Sequence, residues 1–149
     1  MFRGSSYHKI DSKGRIIIPT RFQMILKVNL SPGLMVSSLD GGLVAYPFDK
    51  WKKIEEKILA LAETGPAVRR FRRVFIGGAC ECLLDAQSRI LVPQTLRDYA
   101  KLEKDIVLVG VLDHFEIWSN ENWKKESQML EDEDMQREEV KNEIAKLGL

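Results

Sequence analysis

The chain has 149 residues, with 23 Lys plus Arg against 22 Asp plus Glu, 44% hydrophobic and 30% charged residues, and a formal net charge of +1. At roughly 100–200 residues per domain this allows one ordinary soluble domain or two very small ones, and it excludes a large multidomain enzyme. No stretch approaches the roughly 20 apolar residues of a membrane span, and the opening Met1, Phe2, Arg3, Gly4, Ser5, Ser6 has no apolar run of the signal-peptide kind, which predicts a cytosolic protein.

In chain order, residues 7–11 lead through the turn Ser12, Lys13, Gly14 into the β-branched run Ile16, Ile17, Ile18, the pattern of a hairpin with Gly at a positive-φ position. Pro19 ends that strand and suits a helix start, so residues 20–27 are expected as one short helix. Ser31, Pro32 and Gly33 turn the chain into a strand over residues 34–39. Asp40, Gly41 and Gly42 make a second hairpin turn, with residues 43–46 as its return strand. Residues 48–63 read as a helical linker with Trp51, Ile54, Ile58, Leu59 and Ala62 on one face, ended by Thr64, Gly65 and Pro66. The basic run Arg69, Arg70, Phe71, Arg72, Arg73 is then expected to lead into a strand over residues 74–84.

The second half repeats the first at an offset of 74. Asp11, Arg15, Ile16, Ile17, Ile18 and Pro19 align with Asp85, Arg89, Ile90, Leu91, Val92 and Pro93. Past this motif, residues 34–40 answer 107–113, and residues 43–46 with Trp51 answer 116–118 with Trp123. Each copy spans about 45 residues, too few to be stable alone, so the two copies should share a core or interlock with another chain. Residues 124–149 carry the acidic cluster Glu131, Asp132, Glu133, Asp134 and read as a mostly solvated helix; a narrow stripe (Leu130, Met135, Val140, Ile144, Leu147) leaves open packing on a neighbouring subunit.

The near-zero net charge conceals an asymmetry. Residues 1–75 hold 14 basic against 6 acidic residues, a net of +8, and residues 76–149 hold 9 against 16, a net of −7. Clustered Lys and Arg in one half point to a polyanionic partner. The sharpest candidate is the turn Ser12, Lys13, Gly14, Arg15, where two cations sit on a hairpin tip, Arg can bond guanine in a bidentate way, and Gly lets the backbone come close to DNA. A plainer reading is that Asp11 and Arg15 bond each other and fix the turn. Asp11 and Arg15 recur as Asp85 and Arg89 and suit a scaffold, whereas Lys13 and Gly14 become Gln87 and Ser88; Lys13 is therefore the better DNA candidate and Arg15 fits both readings.

Other features favour structure over function. The arginines of residues 69–73 are expected to pair with acidic groups rather than grip phosphates, Phe71 to lie in the core, and Trp51 and Trp123 to be packing residues. Cys80 and Cys82, two apart in a strand, read as buried thiols rather than a disulfide. His8 and His114 are too far apart for a ligand spacing, and no metal site, cofactor site or enzyme motif is present in the sequence.

These residues resemble the MraZ family of bacterial transcriptional regulators. The resemblance is carried by Phe2, Arg3 and Gly4 with Tyr7 and His8, by the two D-x-x-x-R-x-x-x-P motifs at Asp11–Pro19 and Asp85–Pro93, and by the run from Leu102 through Gly110, Asp113 and His114 to Trp118. It implies an α+β fold of two tandem SpoVT-AbrB modules, a pseudo-twofold swapped-hairpin β-barrel with flanking helices that assembles into homo-oligomeric rings. On this basis residues 5–50 form module 1, 51–75 a helical linker, 76–123 module 2 and 124–149 an acidic C-terminal helix. The resemblance further implies a cytoplasmic, nucleoid-associated repressor that binds repeated promoter boxes of double-stranded DNA. These boxes would lie upstream of the division and cell-wall gene cluster that includes its own gene. The DNA-contacting role falls on Lys13, Gly14 and Arg15, with Arg3 as an addition, and Asp11, Pro19, Asp85, Arg89 and Pro93 as the structural motif. Ser88 departs from the family's second motif, which usually has Gly there; this argues against a positive-φ turn and against DNA reading by the second copy. An antitoxin built on one such module, or a scaffold protein packed head to tail by its charge asymmetry, are the alternatives.

Overall fold

The computed structural model describes residues 1–62 and 65–149, which fall into two compact units, Met1–Ser119 and Asn120–Leu149. In the first unit strands β1 (Ser5–Lys9) and β2 (Arg15–Ile17) flank the first turn, followed by helix α1 (Thr20–Val28) and strands β3 (Gly33–Leu39) and β4 (Gly42–Pro47). Helices α2 (Phe48–Ala60) and α3 (Pro66–Gly77) connect to the second copy, β5 (Cys80–Leu83), β6 (Arg89–Leu91), α4 (Gln94–Ala100), β7 (Asp105–Gly110) and β8 (Phe115–Ser119).

The prolines set the helix starts. Pro19, Pro47 and Pro93 precede α1, α2 and α4 with φ between −55° and −59°, near the ring-locked value, and so deliver the chain at a fixed angle from strand to helix. Phe22 and Leu26 of α1, four apart, are buried on one face, and Leu96 and Ala100 of α4 repeat that spacing.

The two copies are interleaved. The order in the main antiparallel sheet is β1-β7-β8-β4-β3-β5, and β2 and β6 form a separate two-stranded ribbon. The first strand of each copy pairs with the third strand of the other, β1 with β7 and β5 with β3, while β2 pairs with β6 and β4 with β8. Among the described residues only β3 with β4 and β7 with β8 pair within a copy. The arrangement is an α+β fold of two equivalent halves in which the six-stranded sheet is open, with β1 and β5 at its edges, and no closed barrel forms among the described residues.

One face of the sheet packs on a core that draws on both copies, including Ile16, Ile18 and Phe22 with Ile90, Val92 and Leu96. Phe2, Phe22 and Phe115 meet there with ring centroids 5.0–5.4 Å apart. Because side chains alternate along a strand, Leu43 and Ala45 of β4 enter this core while Val44 and Tyr46 face a second cluster with Trp51 and Phe75. That is why residues 43–46 are apolar throughout.

Several expectations need correction. Residues 74–77 are helical, and the strand is confined to Cys80–Leu83. Pro66 starts α3 at its first turn, and Phe75 is pulled into the second cluster against Trp51 at 5.2 Å, so tertiary packing overrides the β propensity of Val74 and Ile76. Phe71 stacks on Phe75 at 5.1 Å but stays 42% exposed, at the rim of the core rather than inside it. The expected linker helix reaches Ala60, and Glu63 and Thr64 lie outside the described residues. Trp51 is buried whereas its counterpart Trp123 is only half-buried, and Cys82 is buried whereas Cys80 is half-buried. Ser88 has φ +59°, so the second turn keeps the positive-φ geometry that Gly14 has at +94°.

The second unit is α5 (Asn120–Asp132), a 3-10 turn (Asp134–Gln136) and α6 (Glu138–Ala145), not one helix. None of these three elements contains a buried residue, as expected for a polar chain whose apolar positions are sparse.

Candidate nucleic-acid interface

The first tip is built by Asp11. Its carboxylate accepts the backbone N–H groups of Lys13 at 3.0 Å and Arg15 at 2.9 Å through Oδ1, and Arg15 Nε at 2.6 Å through Oδ2. The backbone closes the turn with Gly14 N–H donating to the Asp11 carbonyl at 3.0 Å and Asp11 N–H to that of Arg15 at 3.1 Å. The three bonds to the carboxylate, led by the Arg15 backbone amide, hold the Asp11 carboxyl down to about 2, because each favours the ionised form.

The second tip reproduces the scaffold. Asp85 accepts Gln87 N–H, Arg89 N–H and Arg89 Nε, each at 2.9 Å, Ser88 N–H donates to the Asp85 carbonyl at 3.0 Å, and the Asp85 carboxyl is likewise lowered. The side chains differ. Arg89 also donates through Nη2 to Gln87 Oε1 at 3.2 Å, so Gln87 occupies part of the guanidinium. At the first tip the matching residue is Lys13, an exposed cation that cannot accept; its side chain holds no partner among the described residues.

Each tip is mounted on the opposite copy. Val92 N–H donates to the Gly14 carbonyl and Ile18 N–H to the Ser88 carbonyl, both at 2.9 Å. Beside Gly14 lies Arg97 of α4, whose Nε donates to the Val92 carbonyl at 2.9 Å. The equivalent residue of the first copy, Gln23, donates through Nε2 to the Ile18 carbonyl at 2.7 Å. A Cβ on Gly14 would stand 2.6 Å from Arg97 Nε and 2.7 Å from both Arg97 Cζ and the Val92 carbonyl oxygen, so this approach requires glycine. Arg97 was not among the residues marked in the sequence. The signal available there was the exchange of Gln23 for Arg97 at the offset of 74, in the helix that follows each motif.

The ribbon of β2 and β6 extends the surface. Ile16 and Ile90 point into the core, while Arg15 opposite Leu91 and Ile17 opposite Arg89 face outward, with Ile17 58% and Leu91 56% exposed. Lys13, Gly14 and Arg15 are thus together on one tip, with Arg97 beside them. Arg3 is exposed beyond the other end of β1, with five strand residues, about 16–17 Å at roughly 3.2–3.4 Å each, between it and the tip's side of the strand. Arg69, Arg70 and Arg73 are exposed along α3, a different element. Pro19 and Pro93 sit one residue before α1 and α4, where they orient the helices that carry Gln23 and Arg97. Among the described residues no group of three or more His, Cys, Asp or Glu side chains is placed to hold a metal ion, and no helix is long and apolar enough to cross a membrane.

Comparison with known proteins agrees with this two-copy architecture. The model of the MraZ protein family, described as antitoxin-like, matches twice in tandem, over residues 1–74 and 75–143. The chain is 55% identical to the transcriptional regulator MraZ of Desulforapulum autotrophicum and 50% identical to that of Desulfosudis oleivorans, in both cases over the full length of both chains. It is 49% identical over 136 residues to the transcriptional regulator MraZ of Haemophilus influenzae, covering 89% of this chain and 87% of the relative.

Proposed function

This chain belongs to the MraZ family, and on that premise we propose that it is a transcriptional regulator that binds double-stranded DNA in a sequence-specific way through the tip Lys13, Gly14, Arg15. The observation that carries this reading is the contrast between two tips built on one scaffold. Asp11 and Asp85 hold the same turn with the same bonds, yet Lys13 and Gly14 stand where the other copy has Gln87 and Ser88. Side chains that differ on an otherwise duplicated frame mark what the frame is used for. Lys13 supplies a mobile cation for phosphate or a base edge, and Arg15 supplies a guanidinium braced by Asp11 and hence pre-organised for bidentate contact. Arg3 serves as a separate cation, too far along β1 to share the same base step.

In this reading the interleaved halves are a swapped-hairpin fold of SpoVT-AbrB type whose six-stranded sheet stays open between β1 and β5. Residues 5–50 read DNA, 76–123 complete the frame, 51–75 link the two and 124–149 form the acidic C-terminal segment. A homo-oligomeric ring presents several identical tips. If neighbouring tips are spaced near one helical turn, roughly 34 Å, each engages one box of a tandem promoter repeat and weak contacts add through effective concentration. The output is repression, in the cytoplasm on the nucleoid, of a division and cell-wall gene cluster that includes the regulator's own gene; no cofactor and no catalytic role are assigned.

The test is fluorescence anisotropy with a duplex carrying the repeats upstream of the protein's own gene and a scrambled duplex of equal length, across a salt series. The wild type should prefer the repeats with a steep salt slope, and Lys13→Ala/Arg15→Ala should lose the preference while keeping its oligomeric state. Equal weak binding of both duplexes by the wild type would sink this reading and favour a scaffold assembled by its charge asymmetry.

A further inference from the structure

The two tips share one backbone but differ in the side chain that the opposite copy places beside them. Arg97 lies beside Gly14, and Gln23 occupies the equivalent position of the other half. Both side chains perform one structural task, donating to the equivalent carbonyl, Val92 for Arg97 and Ile18 for Gln23. A neutral amide therefore suffices to brace a tip. What Arg97 adds is a full positive charge and a guanidinium whose terminal nitrogens hold no acceptor among the described residues, since the Val92 carbonyl is the only partner of its side chain. Gly14 gives it room: the guanidinium occupies space that a Cβ at Gly14 would need, whereas the tip beside Gln23 tolerates the Cβ of Ser88.

Gly14 and Arg97 thus vary together with Ser88 and Gln23 across the two halves, and the charges follow. The first tip gathers Lys13, Arg15 and Arg97, the second only Arg89. We infer that Arg97 is a DNA-binding residue contributed by the second copy, contacting phosphate oxygens of the duplex at the tip formed by Lys13, Gly14 and Arg15. This rests on the assignment of that tip as the DNA reader. The duplex is then held by a composite site whose two parts lie more than 80 residues apart in the chain, and the second copy contributes to binding although its own tip lacks the lysine.

The decisive variant is Arg97→Gln, which installs the side chain that already braces the equivalent carbonyl in the other half. It should keep the melting temperature and oligomeric state. Its affinity for the promoter repeats and for a scrambled duplex should fall alike, about tenfold per engaged tip, because a phosphate contact carries no sequence information. Its salt slope should drop by about 0.9 per engaged tip. Arg97→Lys, which keeps the charge, should recover most of the slope. A purely bracing Arg97 predicts otherwise: unchanged slope in Arg97→Gln, or a slope in Arg97→Lys as low as in Arg97→Gln; either outcome overturns the inference. Should Arg97→Gln fail to fold, the Arg97→Lys slope and the reciprocal Gln23→Arg/Gln87→Lys/Ser88→Gly variant decide. The reciprocal variant should steepen the salt slope, and no change there refutes the inference. Lys13→Ala measured alongside separates the two claims. If Lys13→Ala binds the repeats as the wild type does, the tip assignment itself fails; if it loses them while Arg97→Gln does not, only the role of Arg97 fails.

Discussion

Replacing Gly14 by alanine tests the geometry of the first tip directly. Gly14 has φ +94°, outside the small left-handed well of L-residues, which costs roughly 1–2 kcal/mol. The added methyl would stand 2.6 Å from Arg97 Nε and 2.7 Å from the Val92 carbonyl oxygen. Arg97 can swing aside only by giving up its bond to that carbonyl, and the carbonyl is backbone in a chain segment that also donates to Gly14, so it cannot retreat alone. Forced overpacking of this kind costs roughly 1–3 kcal/mol. Against this stands a gain of roughly 0.4–1 kcal/mol from the lower entropy of the unfolded chain. The net loss should be about 1–5 kcal/mol, read as a shift of the urea midpoint at unchanged slope and fixed protein concentration. Ser88→Ala is the internal control, since a Cβ is already present there at φ +59°; it should stay within about 0.5 kcal/mol of the wild type. A Gly14→Ala protein no less stable than Ser88→Ala would refute the argument that Arg97 and Val92 leave no room at the tip.

Two further outcomes follow from the packing and the charges. The two histidines should titrate on opposite sides of the ordinary value of 6.5. Burial acts first on His114 and lowers it, but its hydrogen bonds to Glu116 and Asp113 outweigh this, with Asp113 Oδ1 2.8 Å from Nδ1, and the net shift is upward. His8 is lowered by burial and by the Arg21 charge. The stabilisation from charged His114 is therefore full below pH 6.5 and lost as pH rises through its raised folded value, whereas that from His8 is present above pH 6.5 and lost as pH falls through its lowered value. An NMR titration of the ring protons that put the His8 midpoint above that of His114 would overturn this pair of assignments. Phe22→Ala removes the ring packed between Phe2 at 5.1 Å and Phe115 at 5.0 Å and should cost about 3–5 kcal/mol; a urea midpoint shift worth under about 1 kcal/mol would mean that the three rings do not form the centre of the core.

What could be read from the sequence was local. Asp11 and Asp85 announce their turns because the motif acts within five residues, and the prolines announce helix starts because the ring fixes φ whatever surrounds it. The interleaving could be expected only as a shared core, since nothing in the β1 sequence says that its partner is β7, about 100 residues further on, and not β2 next to it. Val74, Phe75 and Ile76 misled for a related reason. Their β-branched and aromatic character favours a strand, and only the distant contact of Phe75 with Trp51 settles them as helix. Ser88 misled in the opposite direction. Asp85 supplies enough bonds to hold a serine at positive φ, so the glycine rule was too strict for a turn that is over-determined.

The interleaving also bears on how a duplicated protein comes to use its halves differently. With β1 on β7, β2 on β6 and β5 on β3, each copy supplies strands that the other needs, so neither can be discarded without leaving the remaining strands as bare edges. Both Asp-x-x-x-Arg turns are therefore retained as frame. The residues that differ around the two turns include exposed Lys13 against Gln87 and the linked pair of buried Gly14 with half-buried Arg97 against Ser88 with Gln23. The basic set has collected at one tip and the neutral set at the other, while the bonds beneath them remain the same within a few tenths of an ångström. If the basic tip is the DNA reader as proposed, a chain with one such tip brings a single reading head to the duplex, which suits one box of a tandem array.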